Sequence, residues 1–354
     1  MKIYLVTGGA GFIGSNFIIH MLNKYSEDQI KIISLDKLTY AGSLENLKCV
    51  ENKNNYIFIK GDICDKNLLD NIFKQYDIDY IINFAAESHV DRSIQEPQIF
   101  VETNILGTVN LLNTAKKHWK FNDGFRKGKK YLQISTDEVY GSLSESGHFT
   151  ENTPLDPHSP YSASKASADL IVKSYYDTYK MPINITRCSN NYGPYQFPEK
   201  LIPLIINNYL NNKPIPVYGD GKNVRDWLYV DEHCRAIDMI IQNGRVGEIY
   251  NIGGHNEREN VYIIKYIIEV LNQITGNNKI SNKLIKYVED RKGHDRRYAI
   301  DPLKIESEIG WKSGIAFEDG ISKTVNWYLD NEDWLSRATL GEYQRYYENM
   351  YKDK

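Results

Sequence analysis

Short apolar runs and longer amphipathic stretches alternate along the first half of the chain. Residues 3–6 (IYLV), 31–35 (KIISL), 56–59 (YIFI), 80–84 (YIINF), 130–134 (KYLQI) and 183–186 (INIT) are brief runs bounded by polar or glycine-rich positions. Runs of this kind, with little polar alternation, suit strands buried on both faces. Between them, residues 12–24, 68–75, 104–119 and 162–179 place apolar side chains at helical spacing. In 104–119 the stripe is Ile105, Leu106, Val109, Leu112 and Ala115. Strands alternating with helices predict an α/β protein with a parallel sheet covered on both faces. Beyond about residue 190 prolines cluster at 194, 198, 203, 214 and 216, and aromatic and polar loops interrupt shorter elements. This part is expected to form a second, smaller lobe, with residues 248–252 (EIYNI) returning to the sheet as a strand.

Composition narrows the class. The chain has 354 residues, 41% hydrophobic and 25% charged, with a net charge of -3. These values describe a globular protein with an ample core and argue against a broad surface for nucleic acid or anionic membrane. The basic patch 125–130 (FRKGKK) lies between a helical pattern and a strand and reads as a solvated loop. The greasiest helical stretch, 261–270, is interrupted by Lys265 and Glu269, and no apolar run approaches the length of a membrane span. Four cysteines, at 49, 64, 188 and 234, form no paired spacing and read as reduced thiols. The first residues lack the pattern of a signal peptide. The expected location is the cytoplasm.

The first candidate chemistry follows the first strand. Residues 7–14 (TGGAGFIG) put Gly8, Gly11 and Gly14 between a strand and a helix. Glycines there permit a tight turn and close approach of backbone to a pyrophosphate, and the helix N-terminus offers free N–H groups to it. The spacing GxxGxxG departs from GxGxxG, but the physical logic is shared. Asp36 ends the second strand, 22 residues beyond Gly14. A carboxylate there accepts bonds from a ribose 2′-hydroxyl and repels a 2′-phosphate, which favours NAD over NADP. Asp62 and Ile63, after the third strand, can contact the adenine, although Asp62 alone reads equally as a helix cap. The expected fold is therefore a Rossmann-like doubly wound sheet. Residues 1–190 form the NAD-binding domain, with returns to the sheet from about 220–255, and residues 191–354 form mainly a substrate lobe.

Two further motifs carry reactive groups. Tyr161 and Lys165 stand one helical turn apart, so the ammonium can lie near the phenol and draw its pKa toward neutrality. Such a tyrosine can take the proton of an alcohol as hydride leaves for NAD. Residues 135–141 (STDEVYG) place a hydroxyl and the adjacent carboxylates Asp137 and Glu138 at the end of a strand. Like-charge repulsion between neighbouring acids favours one ionised and one protonated group. A polar strand end exposed to water is the bland alternative.

These motifs resemble the extended short-chain dehydrogenase/reductase superfamily. Within it, the chain resembles the dTDP-glucose 4,6-dehydratase family over nearly its whole length. The specific matches are 85–93 (AAESHVDRS), 135–141, 161–165 (YSASK), 188–194 (CSNNYGP), 197–203 (FPEKLIP), 225–230 (RDWLYV) and 293–298 (GHDRRY). The resemblance implies a hydro-lyase that oxidises C4 of the hexose, eliminates water across C5 and C6, and reduces C6. Its product would supply dTDP-rhamnose or a related deoxysugar. The resemblance assigns Glu138 as base at C5, Asp137 as acid at O6, and Thr136 as a hydrogen-bond partner of the C4 oxygen beside Tyr161.

For the cofactor, the resemblance implies contacts from Gly8, Gly11, Phe12, Ile13 and Gly14, and from Asp36, Lys37, Leu38 and Thr39. Asp62 and Ile63, then Phe84, Ala85, Ala86, Glu87 and Ser88, and finally Thr103, Tyr161, Lys165 and Asn191 complete that set. For the nucleotide sugar it implies Ser88, Thr136, Asn190, Lys200 and Leu201, then Pro216, Val217, Tyr218, Arg225 and Asn260. The segment Asp290, Arg291, Lys292, Gly293 and His294 belongs to the same group. Lys292 stands where the family usually has proline, which leaves loop rigidity open and adds a phosphate partner. A guanidinium fork at 225 suits a diphosphate, though a surface ion pair with Asp226 or Asp231 is the alternative. His294 reads either as a phosphate ligand or as a polar loop residue. No histidine pair has metal-ligand spacing, so no catalytic metal is expected. The resemblance also implies a homodimer built from the helices around 104–119 and 162–179, whose apolar faces equally suit the sheet. The rival readings are a UDP- or CDP-sugar dehydratase of the same fold and a non-catalytic NAD-binding scaffold.

Overall fold

The structure is a computed structural model that describes residues 1–276, 282–341, 343, 344 and 347. The end of the expected second lobe, at 354, lies outside the described residues. Each expected apolar run is a strand of one seven-stranded sheet. In space the order is Ile249–Ile252, Ile183–Cys188, Lys130–Thr136, Tyr80–Asn83, Lys2–Thr7, Ile30–Asp36 and Tyr56–Lys60. Every neighbouring pair is parallel. The chain starts in the Lys2–Thr7 strand, winds outward to one edge, and then crosses back to build the other half. That reversal opens a crevice at the carboxyl ends of the strands, where ligands of doubly wound sheets bind.

Helices cover both faces because their apolar stripes need the sheet. On one face Phe17, Ile18 and Met21 of Phe12–Lys24 join Ile237, Ile240 and Ile241 of Val230–Asn243 over the strands. On the other, Lys66–Gln75, Thr108–Trp119 and Pro160–Tyr179 contribute Leu69, Ile72, Leu111, Leu112 and Val172. The helix Lys66–Gln75 starts where Asp65 accepts from the backbone of Asn67 and Leu68. Asp62 is thus not its cap. It accepts from the Cys64 N–H at 2.8 Å and pairs with Lys37 at 2.7 Å.

Two expectations change in detail. Residues 101–107 form a π-helical segment, Val101–Gly107, and the α-helix begins at Thr108. Asn104 in that segment bonds both the N–H and the carbonyl of Glu87, at 2.8 and 3.0 Å, and reaches Ser164 at 2.8 Å. The patch 125–130 is solvated only in part. Lys127 and Gly128 are exposed, but Lys129 and Lys130 are buried. The Lys130 ammonium donates to the carbonyls of Ile240, Ile241 and Gly244 at 3.2, 3.0 and 3.0 Å, closing the C-terminus of the helix beneath it.

In the second half, Val230–Asn243 covers the sheet and Ile249–Ile252 forms its edge strand. The remainder packs its own core from Leu201–Leu210, Asn260–Thr275 and Phe317–Asp330, with Ile205, Tyr209, Ile263, Ile267, Phe317 and Tyr328 buried among them. Two small sheets complete it. One pairs Ile215–Tyr218 with Ile285–Val288, and the other sets Val224–Tyr229 between Glu257–Glu259 and Asn190–Tyr192.

Candidate active site

The strand Lys130–Thr136 delivers the reactive turn. Its last residue, Thr136, caps a short 3-10 helix, Asp137–Tyr140, by accepting from the Glu138 N–H at 3.3 Å. The cap forces the two acids to follow immediately at the mouth of the crevice. Asp137 is only 1% exposed, and its Oδ2 has no hydrogen-bond partner among the described residues. Burial holds its carboxyl well above the ordinary range, with the charges of Glu138 and Asp226 adding to the effect and Arg225 opposing it. The protonated form of Asp137 is thereby favoured over the ionised one. Glu138 lies at the cleft wall beside it.

The helix Pro160–Tyr179 brings the second reactive pair. A capping box between Ser159 and Ser162, with Pro160 in the first turn, pins its start next to the crevice. Tyr161 and Lys165 then face the same cleft as the acids, both buried. The Lys165 ammonium donates to the Ile134 carbonyl at 2.7 Å. Burial raises the Tyr161 phenol well above its usual value, the Glu138 charge adds to this, and a bond to Thr136 works the other way. Burial likewise lowers Lys165, against the pull of Asp169.

The glycine turn forms the other end of the cleft. Gly8 has a φ of +67°, and a Cβ there would sit 2.6 Å from the Ala85 nitrogen. At Gly14 a Cβ would meet the Gly8 carbonyl at 2.2 Å, so helix and turn touch through bare backbone. Gly11 caps the helix Phe12–Lys24 with no side-chain bond to its first N–H groups. Those donors face the cleft, as an anion requires. Asp36 accepts from Ala10 at 2.9 Å and Leu38 at 2.8 Å, and its carboxyl is raised by burial. An uncapped helix start, a cleft-lining carboxylate and the Tyr161–Lys165 pair at the far end fit a dinucleotide.

One continuous cleft brings together all the expected cofactor and catalytic residues except Leu38. Leu38 adopts a φ of +57° and packs against the sheet core. Asn191 is fixed by three bonds: it donates to Ser189 at 2.9 Å, its carbonyl receives Gln196 at 2.8 Å, and His233 meets its side chain at 2.9 Å. His233 is fully buried, which pushes its pKa down to about 3.

Of the expected substrate residues, Ser88, Thr136, Asn190 and Lys200 line the same cleft, and Lys200 donates to the Ser88 carbonyl at 2.8 Å. Leu201, Pro216, Val217, Tyr218, Arg225, Asn260 and residues 290–294 lie outside its lining. Val217 is buried in the lobe core, and Lys292 is exposed. Arg225 is not a surface residue. It is 5% exposed, stacks over Tyr298 at 4.2 Å, and donates to the carbonyls of Val224 and Asp295. Neither Asp226 nor Asp231 pairs with it, because the backbone of Gly254 and Asn256 takes Asp226 and His20 takes Asp231. His294 bonds Asp290 at 2.6 Å, and burial lowers it to about 4.

Sequence reasoning missed a buried support behind the reactive turn. Asp169 pairs with Arg187 at 2.9 Å, and Arg187 reaches the Tyr140 hydroxyl at 3.0 Å, which donates to Asn251 at 2.8 Å. Asp169 stands eight residues after Tyr161 on one helix. Extending that helical face by one turn beyond Lys165 was the available signal. Among the described residues, no three His, Cys, Asp or Glu side chains gather as a metal site needs.

Comparison with known proteins follows the same lines. The family described as GDP-mannose 4,6 dehydratase matches residues 5–324. A dTDP-glucose 4,6-dehydratase of Xanthomonas campestris is 49% identical, over 97% of this chain and 98% of its own. The crystal structure of dTDP-glucose 4,6-dehydratase from Bacillus anthracis in complex with NAD superposes with a TM-score of 0.85 at 51% identity, covering 96% of this chain and 100% of that one. DesIV, a dTDP-glucose 4,6-dehydratase from Streptomyces venezuelae solved with NAD bound, gives 0.87 at 45% identity, over 95% and 100%.

Proposed function

This chain belongs to the family described as GDP-mannose 4,6 dehydratase and, within it, to the dTDP-glucose 4,6-dehydratases, and from that premise we propose its reaction. It converts dTDP-glucose to dTDP-4-keto-6-deoxyglucose. NAD, held along the glycine turn, Asp36 and the Tyr161–Lys165 pair, supplies a hydride acceptor for C4 and a hydride donor for C6. The observation that carries the reading is the buried acid Asp137, its pKa raised by burial, beside Glu138 at the end of a strand. A fold-mate that only epimerises C4 has no water to expel and no use for that pair.

The chain's own groups divide the work. Tyr161 takes the C4 hydroxyl proton while Thr136, bonded to the same turn, holds the C4 oxygen. Oxidation at C4 acidifies the C5 proton, which Glu138 removes. Asp137 then donates its proton to O6 as water departs, and a proton returns to C5 from Glu138 as C6 is reduced. Arg225, a buried guanidinium bonded only to carbonyls among the described residues, is the counter-charge for the substrate diphosphate. Ser88, Asn190 and Lys200 position the sugar end of the nucleotide. Leu201, residues 216–218, Asn260 and residues 290–294 hold its base and ribose from the C-terminal lobe. Residues 1–190 thus serve the cofactor and the later part of the chain the nucleotide.

The enzyme acts as a homodimer. Val101, Leu106 and Leu170 are exposed apolar residues on Val101–Gly107 and Pro160–Tyr179, two elements that pack together. We place it in the cytoplasm, where its four cysteines stay free.

The test is turnover with dTDP-glucose and UDP-glucose bearing deuterium at C4. Formation of the keto sugar from the dTDP compound, with deuterium recovered at C6 of the same molecule, is the expected result. Preference for UDP-glucose, or complete loss of the label to solvent, refutes the proposal.

A further inference from the structure

The glycine turn is gripped from a distant part of the chain. Ala10, between Gly9 and Gly11, has its N–H taken by Asp36. Its carbonyl receives the Ser43 N–H at 3.0 Å and the Asn46 side-chain amide at 2.9 Å. Asn46 is 1% exposed, and its remaining oxygen accepts the indole N–H of Trp334 at 2.8 Å. Trp334 is 288 positions further along the chain, on the short helix Glu332–Ala338. Its ring packs into an aromatic cluster with Tyr195, Trp327 and Tyr328, which belongs to the core of the C-terminal lobe.

We propose that Asn46 and Trp334 are positioning residues for the dinucleotide, forming a relay that ties the glycine turn to the C-terminal lobe and thereby sets how long the cofactor stays bound. The inference rests on the cofactor reading given above. A phosphate-binding turn works by presenting several backbone N–H groups in fixed directions, and any freedom of the turn dilutes them. The Phe12–Lys24 helix start has no side-chain cap to stiffen it. Stiffness comes instead from the bonds to Ala10, and of these the Asn46 bond alone is held by the other lobe. The amide has a single satisfied geometry. One face donates to Ala10, the other accepts from Trp334, and inverting it would oppose acceptor to acceptor and donor to donor. The indole N–H therefore orients Asn46, and Asn46 orients the turn. An enzyme whose cofactor is regenerated on every cycle gains from slow release.

Trp334→Phe keeps the aromatic packing and removes the N–H. Asn46→Ser breaks the relay from its other end. Trp327→Phe trims a neighbouring ring of the same cluster without touching the relay and controls for loosened packing. Each purified protein is loaded with NAD and passed through a desalting column, and the retained NAD is followed over time alongside the melting temperature. Trp334→Phe and Asn46→Ser are expected to release NAD about five- to tenfold faster, the loss of one buried hydrogen bond, while Trp327→Phe releases it at the wild-type rate. Wild-type release in both relay variants overturns this inference alone, even where their melting temperatures fall. Equal acceleration in Trp327→Phe also overturns it, since packing would then be the cause. A wild-type protein that retains no NAD overturns the cofactor reading together with it.

Discussion

At the scale of single residues, the site is organised by where charge is denied water. Asp137 and Glu138 are neighbours in sequence, yet Asp137 is buried, with only Thr136 bonded to one of its oxygens, while Glu138 is half-buried. That asymmetry suits the proposed division into an acid and a base. Replacing Asp137 with Asn is expected to slow water loss by roughly 10²-fold while leaving cofactor reduction by the substrate intact. Single-turnover absorbance of the reduced cofactor separates the two steps. The same substitution carries a stability prediction of definite sign. A carboxyl raised in the folded chain binds its proton more tightly there, so ionisation destabilises the fold as pH climbs from the unfolded value of about 3.9 toward the raised one. Asn escapes this penalty. The melting temperature of Asp137→Asn should therefore exceed that of the wild type at neutral pH, with the gap closing as pH falls to about 4. Tyr161→Phe removes the group proposed to take the C4 proton, and cofactor reduction should fall by about 10²-fold or more in the same assay. The acids, the tyrosine and the lysine stood out in sequence by adjacency and by i, i+4 spacing, and the fold sets all four on one cleft. Asn46 and Arg187 were not, because their partners lie in other elements, and Asp169 shows only as one further turn of the helical face that carries Tyr161 and Lys165.

At the scale of elements, the strands were legible because each is a short, mostly apolar run, broken only by a few buried polar residues such as Ser34, Gln133 and Asn184. The parallel order follows from the helices between them. What local pattern could not disclose was the π-helical segment Val101–Gly107, where a tertiary contact between Asn104 and Glu87 accompanies the wider turn. Nor could it disclose Lys130, a charged residue that reads as solvated and is in fact a buried cap for a helix more than a hundred residues later. Lys130→Met fills similar space but leaves three helix-terminal carbonyls without their donor. It should destabilise the protein by about 2 kcal/mol, measured as a lower urea midpoint at unchanged slope. An unaltered midpoint would show that water replaces the ammonium freely.

At the scale of the whole molecule, two cores share one crevice. The sheet and its helices bury one set of apolar residues, and the later lobe buries its own around Tyr192 and Phe317. Proline density marked the second lobe in sequence, but the return of Val230–Asn243 to the sheet needed the edge strand that follows it. The exposed apolar residues Val101, Leu106 and Leu170 carry the remaining prediction. Leu170→Asp places a charge in the middle of the proposed dimer contact and should yield a monomer in sedimentation velocity, with the wild type sedimenting at twice the mass. A wild-type monomer would remove the dimer from the account. One buried side chain has a consequence for the intact enzyme. Burial pushes the imidazole that steadies Asn191 down to about 3, well below neutrality. The prop beneath the cofactor wall is thus electrically silent, and a mild souring or sweetening of the surroundings leaves that support as it was.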